Sequence, residues 1–395
     1  MSTQNFPARP EILMARANRT AAAPTMEQIA VAAGVSQSTV SRVLSPGSPN
    51  ARISAATRDR VMTVAREYRY QPNPLARGLR GASTMLLGVV VGDITDPFSP
   101  GFIEALSAAA LSRGYNVVLG HARGSAREAV ALRSVLETRH CDAIIILGDL
   151  REHPRISSEL AETGVPIVNL GRGPDSGGIS IDVDNRAGIR LIMDHLVGLG
   201  HERIAYVGAR AYGDFPARRA AYLEYMQLHD LPVPRKYEQR TTNSAAAGAE
   251  ALRSLCALRP RPTAVMLATD LMAVGALYAA HQAGVTVPRE LSVTGFDDLP
   301  IAGFTVPPLT TVAMPSVEMA SAAVDAAITL VTQQGPLPQR DVRLFQPELV
   351  TRDSSDVPAS GRGATRRMDP MSTGDGRTAS TGGRSISDPT KGATR

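Results

Sequence analysis

Thr25–Leu44 reads TMEQIAVAAGVSQSTVSRVL, and its spacing decides the N-terminal fold. Thr25 followed three residues later by Gln28 is a capping-box pattern, which satisfies free N–H groups at a helix start. Ile29, Ala30 and Ala33 then share one face. Gly34 permits the left-handed turn that ends a helix. Ser36 caps a second helix running to Leu44, with Val40, Val43 and Leu44 apolar and Gln37, Ser38, Ser41 and Arg42 on the other face. Beyond the turn-rich SPGSPN at 45–50, Ser54 opens a third helix whose Val61, Val64, Ala65 and Tyr68 recur at helical spacing. Three helices, the first two joined by a tight glycine turn, predict an all-α helix-turn-helix domain over residues 25–70.

The outward face of the second helix suggests what such a domain does. Short polar side chains at a helix start suit base edges, and an arginine one turn later can take guanine O6 and N7 together. A merely solvated helix face has a similar composition. The glycine turn and the basic third helix, with Arg58, Arg60, Arg66 and Arg69, tip the balance towards double-stranded DNA. Charge is distributed accordingly: residues 25–80 carry eight basic and three acidic side chains, whereas 81–353 are acidic by five within a chain of net +5. A basic module on an acidic body points to polyanion binding by the module.

Residues 1–24 lack periodicity and read as a flexible leader. On the other side of the module, Tyr70–Gly81 reads YQPNPLARGLRG. Asn73 is a good N-cap and Pro74 suits the first helical position, so residues 71–81 are expected to form a short hinge helix. From Met85 the pattern changes to apolar runs (MLLGVVV, YNVVLG, DAIIIL, VPIVNL) alternating with helical segments. A second set follows in RIAYVG, TAVMLA and LSVTGF, again separated by helices. Strands apolar on both faces belong to parallel sheets covered by helices, so residues 82–353 should form two doubly wound α/β subdomains in tandem. Residues 354–395 are rich in Ser, Gly, Thr, Pro and Arg, and are expected to be a disordered tail.

The length of 395 residues suits two or three domains. No run approaches the roughly 20 apolar residues of a membrane helix, and the first residues lack a continuous apolar stretch, so no secretory signal is expected. The two cysteines, Cys141 and Cys256, argue for a reducing compartment, so the expected address is the cytoplasm, at the nucleoid, with no membrane partner. There is no Walker loop, GxSxG, HExxH or Cys/His cluster at metal spacing, which argues against an enzyme and implies no cofactor and no metal.

The segment TMEQIAVAAGVSQSTVSRVL, the stretch EYRYQPNPLARGLRG, the motif IDVDNRAGIRLIMDHLVGLGHERIAYVG and the long PTAVMLATDLMAVGALYAAHQAGVTVPRELSVTGFDD together resemble the LacI-type (lactose repressor) family of bacterial transcription regulators, from about Thr25 to Arg352. The resemblance implies a periplasmic-binding-protein-like effector domain behind the DNA module. It places Gln37, Ser38 and Arg42 at base-reading positions, Thr25 and Ser36 near phosphates, and the hinge residues Asn73 and Leu79 on DNA, with Leu79 wedged in the minor groove. It further implies a homodimer on a palindromic operator, and a small-molecule effector that controls operator affinity.

Ligands of open α/β sheets bind beyond the carboxyl ends of the strands. Asp93, Ile94, Asp96 and Phe98 follow the first strand, Arg218 and Tyr222 the sixth, and Asp297 the last parallel one. The resemblance assigns Arg218 and Asp297 to the effector cleft, with Asp93 and Phe98 as lining; locally, Asp297 could instead cap a turn and Arg218 pair with an interdomain acid. Thr269 stands where a ligand-binding asparagine is common, Asn243 where an aromatic is, and Met314 where glutamine is. These departures predict a cleft less polar than usual. A sugar or sugar derivative is the expected effector class, with a nucleoside or other metabolite as the alternative. A solute-binding protein or an enzyme is the reading from a different class.

Overall fold

The computed structural model describes residues 24–44, 53–70, 83–121, 126–136, 140–150, 154–171, 178–209, 213–332 and 340–359. Helix α1 (Met26–Ala33) begins with the capping box: Gln28 N–H donates to Thr25 Oγ1, and Thr25 N–H to Gln28 Oε1 at 2.8 Å. Gly34, at φ 63°, ends it in the left-handed region that a Cβ would make costly. Helices α2 (Gln37–Leu44) and α3 (Ala55–Glu67) follow, with the side chains of Ser36 and Ser54 accepting from the N–H groups of Thr39 and Thr57. Ile29, Ala30, Ala33, Val40, Val61 and Ala65 close a small core. Burying one face of α2 there leaves the opposite face in solvent.

The first α/β subdomain is built from β1 (Leu86–Val91), α4 (Phe98–Ser112), β2 (Asn116–His121), α5 (Ala126–Leu136), β3 (Ala143–Leu147), α6 (Pro154–Ala161), β4 (Ile167–Leu170) and β5 (Ile179–Val183). The chain then enters the second subdomain through α7 (Asn185–Gly198). It continues through β6 (Ile204–Ala209), α8 (Phe215–Leu228), β7 (Glu238–Thr241), α9 (Ala245–Cys256), β8 (Ala264–Leu267), α10 (Asp270–Gln282), β9 (Ser292–Thr294) and β10 (Thr311–Ala313). Helix α11 (Ser316–Thr332) and β11 (Asp341–Phe345) return to the first subdomain, and β12 (Glu348–Val350) to the second.

The sheet orders are β11-β5-β4-β3-β1-β2 and β7-β6-β8-β9, with every pairing parallel. Strand alternation explains the first subdomain's two cores. Leu87, Val89 and Val91 face α4 and α11 residues such as Phe102 and Ala323, while Val90, Ile144 and Ile146 face Leu136 and Leu160 on the other side. Both faces are dry, hence the unbroken apolar runs.

Two expectations need correction. The subdomains do not simply succeed one another: the chain passes between them three times, after β5, after β10 and after β11. Apolar periodicity marks a buried strand but carries no information on which sheet receives it. The tail, moreover, does not become unstructured at Ser354. That residue is fully buried, its hydroxyl donating to Val293 O and accepting from Thr310 N–H, and the Asp356 carbonyl meets His201 Nε2 at 2.9 Å. Polar composition was misleading there because buried hydrogen bonds of Ser354 and Asp356, together with the buried Pro358, hold the segment.

Candidate functional site: an exposed recognition helix and an interdomain cleft

On α2, Gln37, Ser38 and Arg42 are all exposed, and Ser38 and Arg42, four residues apart, are neighbours on the helix surface. Thr25 and Ser36 are also exposed, each at the start of a helix, where N–H groups favour anions such as phosphate. The Ser36 hydroxyl also meets Ser38 Oγ at 2.8 Å and Thr39 Oγ1 at 2.9 Å, so it orients the first turn of α2. Asn73 and Leu79 lie outside the described residues.

Between the α/β subdomains lies a cavity of about 620 Å³. Its walls are the loops at the carboxyl ends of the parallel strands, as this sheet type dictates. Asp93, Asp96 and Phe98 come from beyond β1 and Asp149 from beyond β3; facing them, Asp214 and Arg218 follow β6, Asn243 follows β7, Thr269 follows β8 and Asp297 follows β9.

Arg218 organises the second subdomain's wall. Its side chain is 4% exposed. Nε donates to Asn185 Oδ1 at 2.8 Å, and Nη1 to the Ala268 carbonyl and to Asp297 Oδ1 at 3.2 Å. Nη2 donates to Asp214 Oδ2 at 3.4 Å, and the guanidinium lies 3.6 Å over the Phe296 ring. Burial pushes the Asp297 carboxyl well above the usual range against the opposing pull of Arg218, with Asp270 and Asp96 adding to the rise. Arg218 thus pairs with acids of its own subdomain, Asp214 and Asp297, and not with one across the cleft, while both Arg218 and Asp297 line the cavity.

The other wall is acidic. Asp93 Oδ1 accepts from Thr95 N–H and Oγ1, bonds that hold its carboxyl below the usual range. Asp96 is pushed up by burial, and the charge of Asp93 adds to this. Two bridges cross the mouth: Asn243 Nδ2 donates to Asp96 Oδ2 at 3.1 Å, and Gly213 N–H to Asp149 Oδ2 at 2.8 Å. Asn243 is itself held by Thr269, whose hydroxyl donates to Asn243 Oδ1 at 2.8 Å.

Asp93, Phe98, Arg218, Thr269 and Asp297 therefore line one cavity, but Tyr222 does not. Its ring is fully buried and stacked on Tyr206 at 5.2 Å, and its hydroxyl donates to the Ile204 carbonyl. It shares a helix face with Arg218 but lies one turn, roughly 5.4 Å, farther from the cleft. Five carboxylates line the cleft, and Met314 belongs to a smaller adjoining recess of about 50 Å³. His121, Asp149 and Asp214 were missed, although the strand-end rule reaches each of them. Among the described residues, no group of His, Cys, Asp and Glu is arranged to hold a metal ion, and no helix is long and apolar enough to cross a membrane.

An exposed helix-turn-helix face and a two-subdomain cleft define a two-domain DNA-binding transcription regulator, a class that is not enzymatic. Comparison with known proteins agrees. Residues 25–73 match the domain described as bacterial regulatory proteins, lacI family, and residues 193–355 match the periplasmic binding protein-like domain. An uncharacterised helix-turn-helix-type regulator in the aml 5′ region of Streptomyces limosus is 37% identical, covering 85% of this chain and 95% of the relative. The transcriptional repressor CytR of Escherichia coli is 30% identical over 86% of this chain and 98% of its own. A structure of the Lac repressor dimer bound to operator and the anti-inducer ONPF is similar with a TM-score of 0.73 and 28% identity, covering 84% of this chain and 99% of that one. The chain belongs to the LacI family of bacterial transcription regulators.

Proposed function

We propose that the protein is a repressor that binds a palindromic operator as a homodimer, and that a neutral, hydroxyl-rich small molecule, a sugar or sugar derivative, controls its operator affinity from the interdomain cleft. The observation carrying the effector class is the imbalance of the cleft: five carboxylates against one guanidinium whose donors are largely committed. Carboxylates accept hydrogen bonds, so the ligand brings donors, and an anion is repelled. Phe98, half-buried at the wall, offers a ring face that keeps a nucleoside as the second reading.

Gln37, Ser38 and Arg42 read base edges in the major groove, while Thr25 and Ser36 approach phosphates. Asn73 and Leu79 act in the hinge, on the strength of family membership. Dimerisation runs through the effector domains, where Phe304 and Val306 stand 82% and 90% exposed, a cost that a partner subunit would relieve. The ligand acts by favouring one arrangement of the two subdomains, which alters the separation of the paired hinges.

The test selects an operator from random duplexes. A panel of neutral sugars, sugar phosphates and nucleosides is then screened by thermal shift, with and without that operator. A neutral sugar that stabilises the protein and shifts its operator affinity is the expected result. Hits confined to sugar phosphates, or turnover of a panel member, would overturn the reading.

A further inference from the structure

One short segment, Phe296–Val306, runs from the cleft to the outer face of the second subdomain. Its first turn holds two consecutive non-glycine residues with left-handed backbone, Asp297 at φ 114° and Asp298 at φ 51°. Such residues persist only where the surroundings over-determine them.

The restraint comes from Asp270, the first residue of α10, which is fully buried. Its backbone N–H donates to the Phe296 carbonyl at 2.8 Å, on one side of the turn. Its Oδ2 accepts from Leu299 N–H at 2.8 Å, on the other side, and its Oδ1 accepts from Thr311 Oγ1 of β10 at 2.6 Å. The carboxylate is admitted because position 295 is glycine: a Cβ there would lie 2.1 Å from Asp270 Oδ1. Arg352 holds the Asp298 carboxylate separately at 2.7 Å. Asp297 is then left with its carboxyl against Arg218 in the cleft, and the chain beyond Leu299 enters the turn Pro300–Phe304.

We propose that Asp270 is a positioning residue: its backbone N–H holds one end of the left-handed turn and its buried carboxyl the other, and together they fix the Asp297 carboxyl in the cleft and the entry to the 300–306 turn. The functional consequence rests on the effector reading of the cleft. The groups facing Asp270 are the hydroxyl of Thr311, the N–H of Leu299, the carboxylates of Asp297 and Asp298, and Arg352. Burial outweighs the hydrogen bonds and pushes the Asp270 carboxyl up to about 7. A folded value raised above the unfolded one means that keeping this carboxyl buried costs more once it is ionised, so the local stability it contributes is greatest at low pH and declines as pH rises through about 7.

Hydrogen exchange of the full-length, ligand-free protein, read by mass spectrometry between about pH 6 and about pH 8, tests the clamp. In the wild type, local opening of 296–306, corrected for intrinsic exchange, increases with pH across this window. Asp270→Asn keeps a carbonyl oxygen for Leu299 N–H and lacks the titrating proton, so it is expected to retain protection with a flat pH profile. Asp270→Ala is expected to open 296–306 by about tenfold or more while β6 and β8 stay protected, as local unfolding allows. The clamp is overturned if Asp270→Asn keeps the wild-type pH profile, a result that counts even if the alanine variant fails to fold. It is equally overturned if Asp270→Ala leaves 296–306 unchanged. No effector enters the experiment, so its failure leaves the effector reading standing, and failure of the ligand panel leaves the clamp standing.

Discussion

On α2 the polar side chains that face away from the core stand in solvent, with Gln37, Ser38 and Arg42 exposed on a helix of eight residues. In the cleft the polar side chains are already bound to one another: Arg218 to Asn185, Asp214 and Asp297, and Asn243 to Asp96 and Thr269. The first surface is built to meet an external partner with little internal rearrangement. On the proposed function, a ligand in the second exchanges internal hydrogen bonds for external ones, which links occupancy to conformation. Substitutions at an exposed reader should therefore change binding and spare stability, whereas substitutions at a buried hub should change stability first.

The largest test of this contrast is Arg218→Ala. It leaves Asp297, whose side chain is 7% exposed, without its cation, and breaking such a buried pair costs about 3–5 kcal/mol. Denaturant unfolding should show a loss of that order; a change within experimental error would mean that Arg218 is as free as Arg42. Next comes Arg42→Ala, expected to lose about 1–3 kcal/mol of specific operator binding and to relax one base position, with no change in unfolding midpoint. Uniform weakening on all duplexes would reduce Arg42 to a phosphate contact.

Tyr222→Phe removes a buried hydroxyl-to-carbonyl bond and should cost about 0.5–1.5 kcal/mol of stability while leaving ligand affinity unchanged. Lost ligand affinity at full stability would return Tyr222 to the cleft. The smallest effect is the pH response of His201, whose ionisation burial lowers. The unfolded chain takes up a proton that the folded one resists, so stability falls as pH drops below the ordinary histidine value of about 6.5, by roughly a kcal/mol or less per pH unit. His201→Gln should flatten that slope in unfolding curves measured from about pH 7 to about pH 5.

The two regions also differed in how far their residues could be read from sequence. The helix-turn-helix was legible because its signals are local: a capping box at Thr25 and Gln28, a left-handed Gly34, and apolar residues at helical spacing. The central strands β1, β3, β6 and β8 were legible as dry runs. Two of the edge strands were not: β7 (EQRT) and β11 (DVRLF) are only partly buried, so neither carries an apolar run. The cleft assembles from seven separate strand ends, and a rule that points to strand ends finds candidates without ranking them. It reached Asp93, Phe98, Arg218 and Asp297 but passed over Asp149 and Asp214. Tyr222 was misplaced because helix spacing reports the face of a side chain and says nothing of its depth. The hydrogen-bond bridge from Asp96 to Asn243 joins residues 147 positions apart, a pairing that no local pattern records.

The central claim is that the cleft and the recognition helix are coupled in one molecule. Fluorescence anisotropy with the selected operator, at fixed salt, measures it directly when repeated with the strongest neutral ligand of the panel present at saturation. Coupling between two sites of about 1–3 kcal/mol predicts that operator affinity changes by roughly 5- to 150-fold, with the salt dependence of binding unchanged. A ligand that stabilises the protein yet leaves operator affinity where it was would contradict the account.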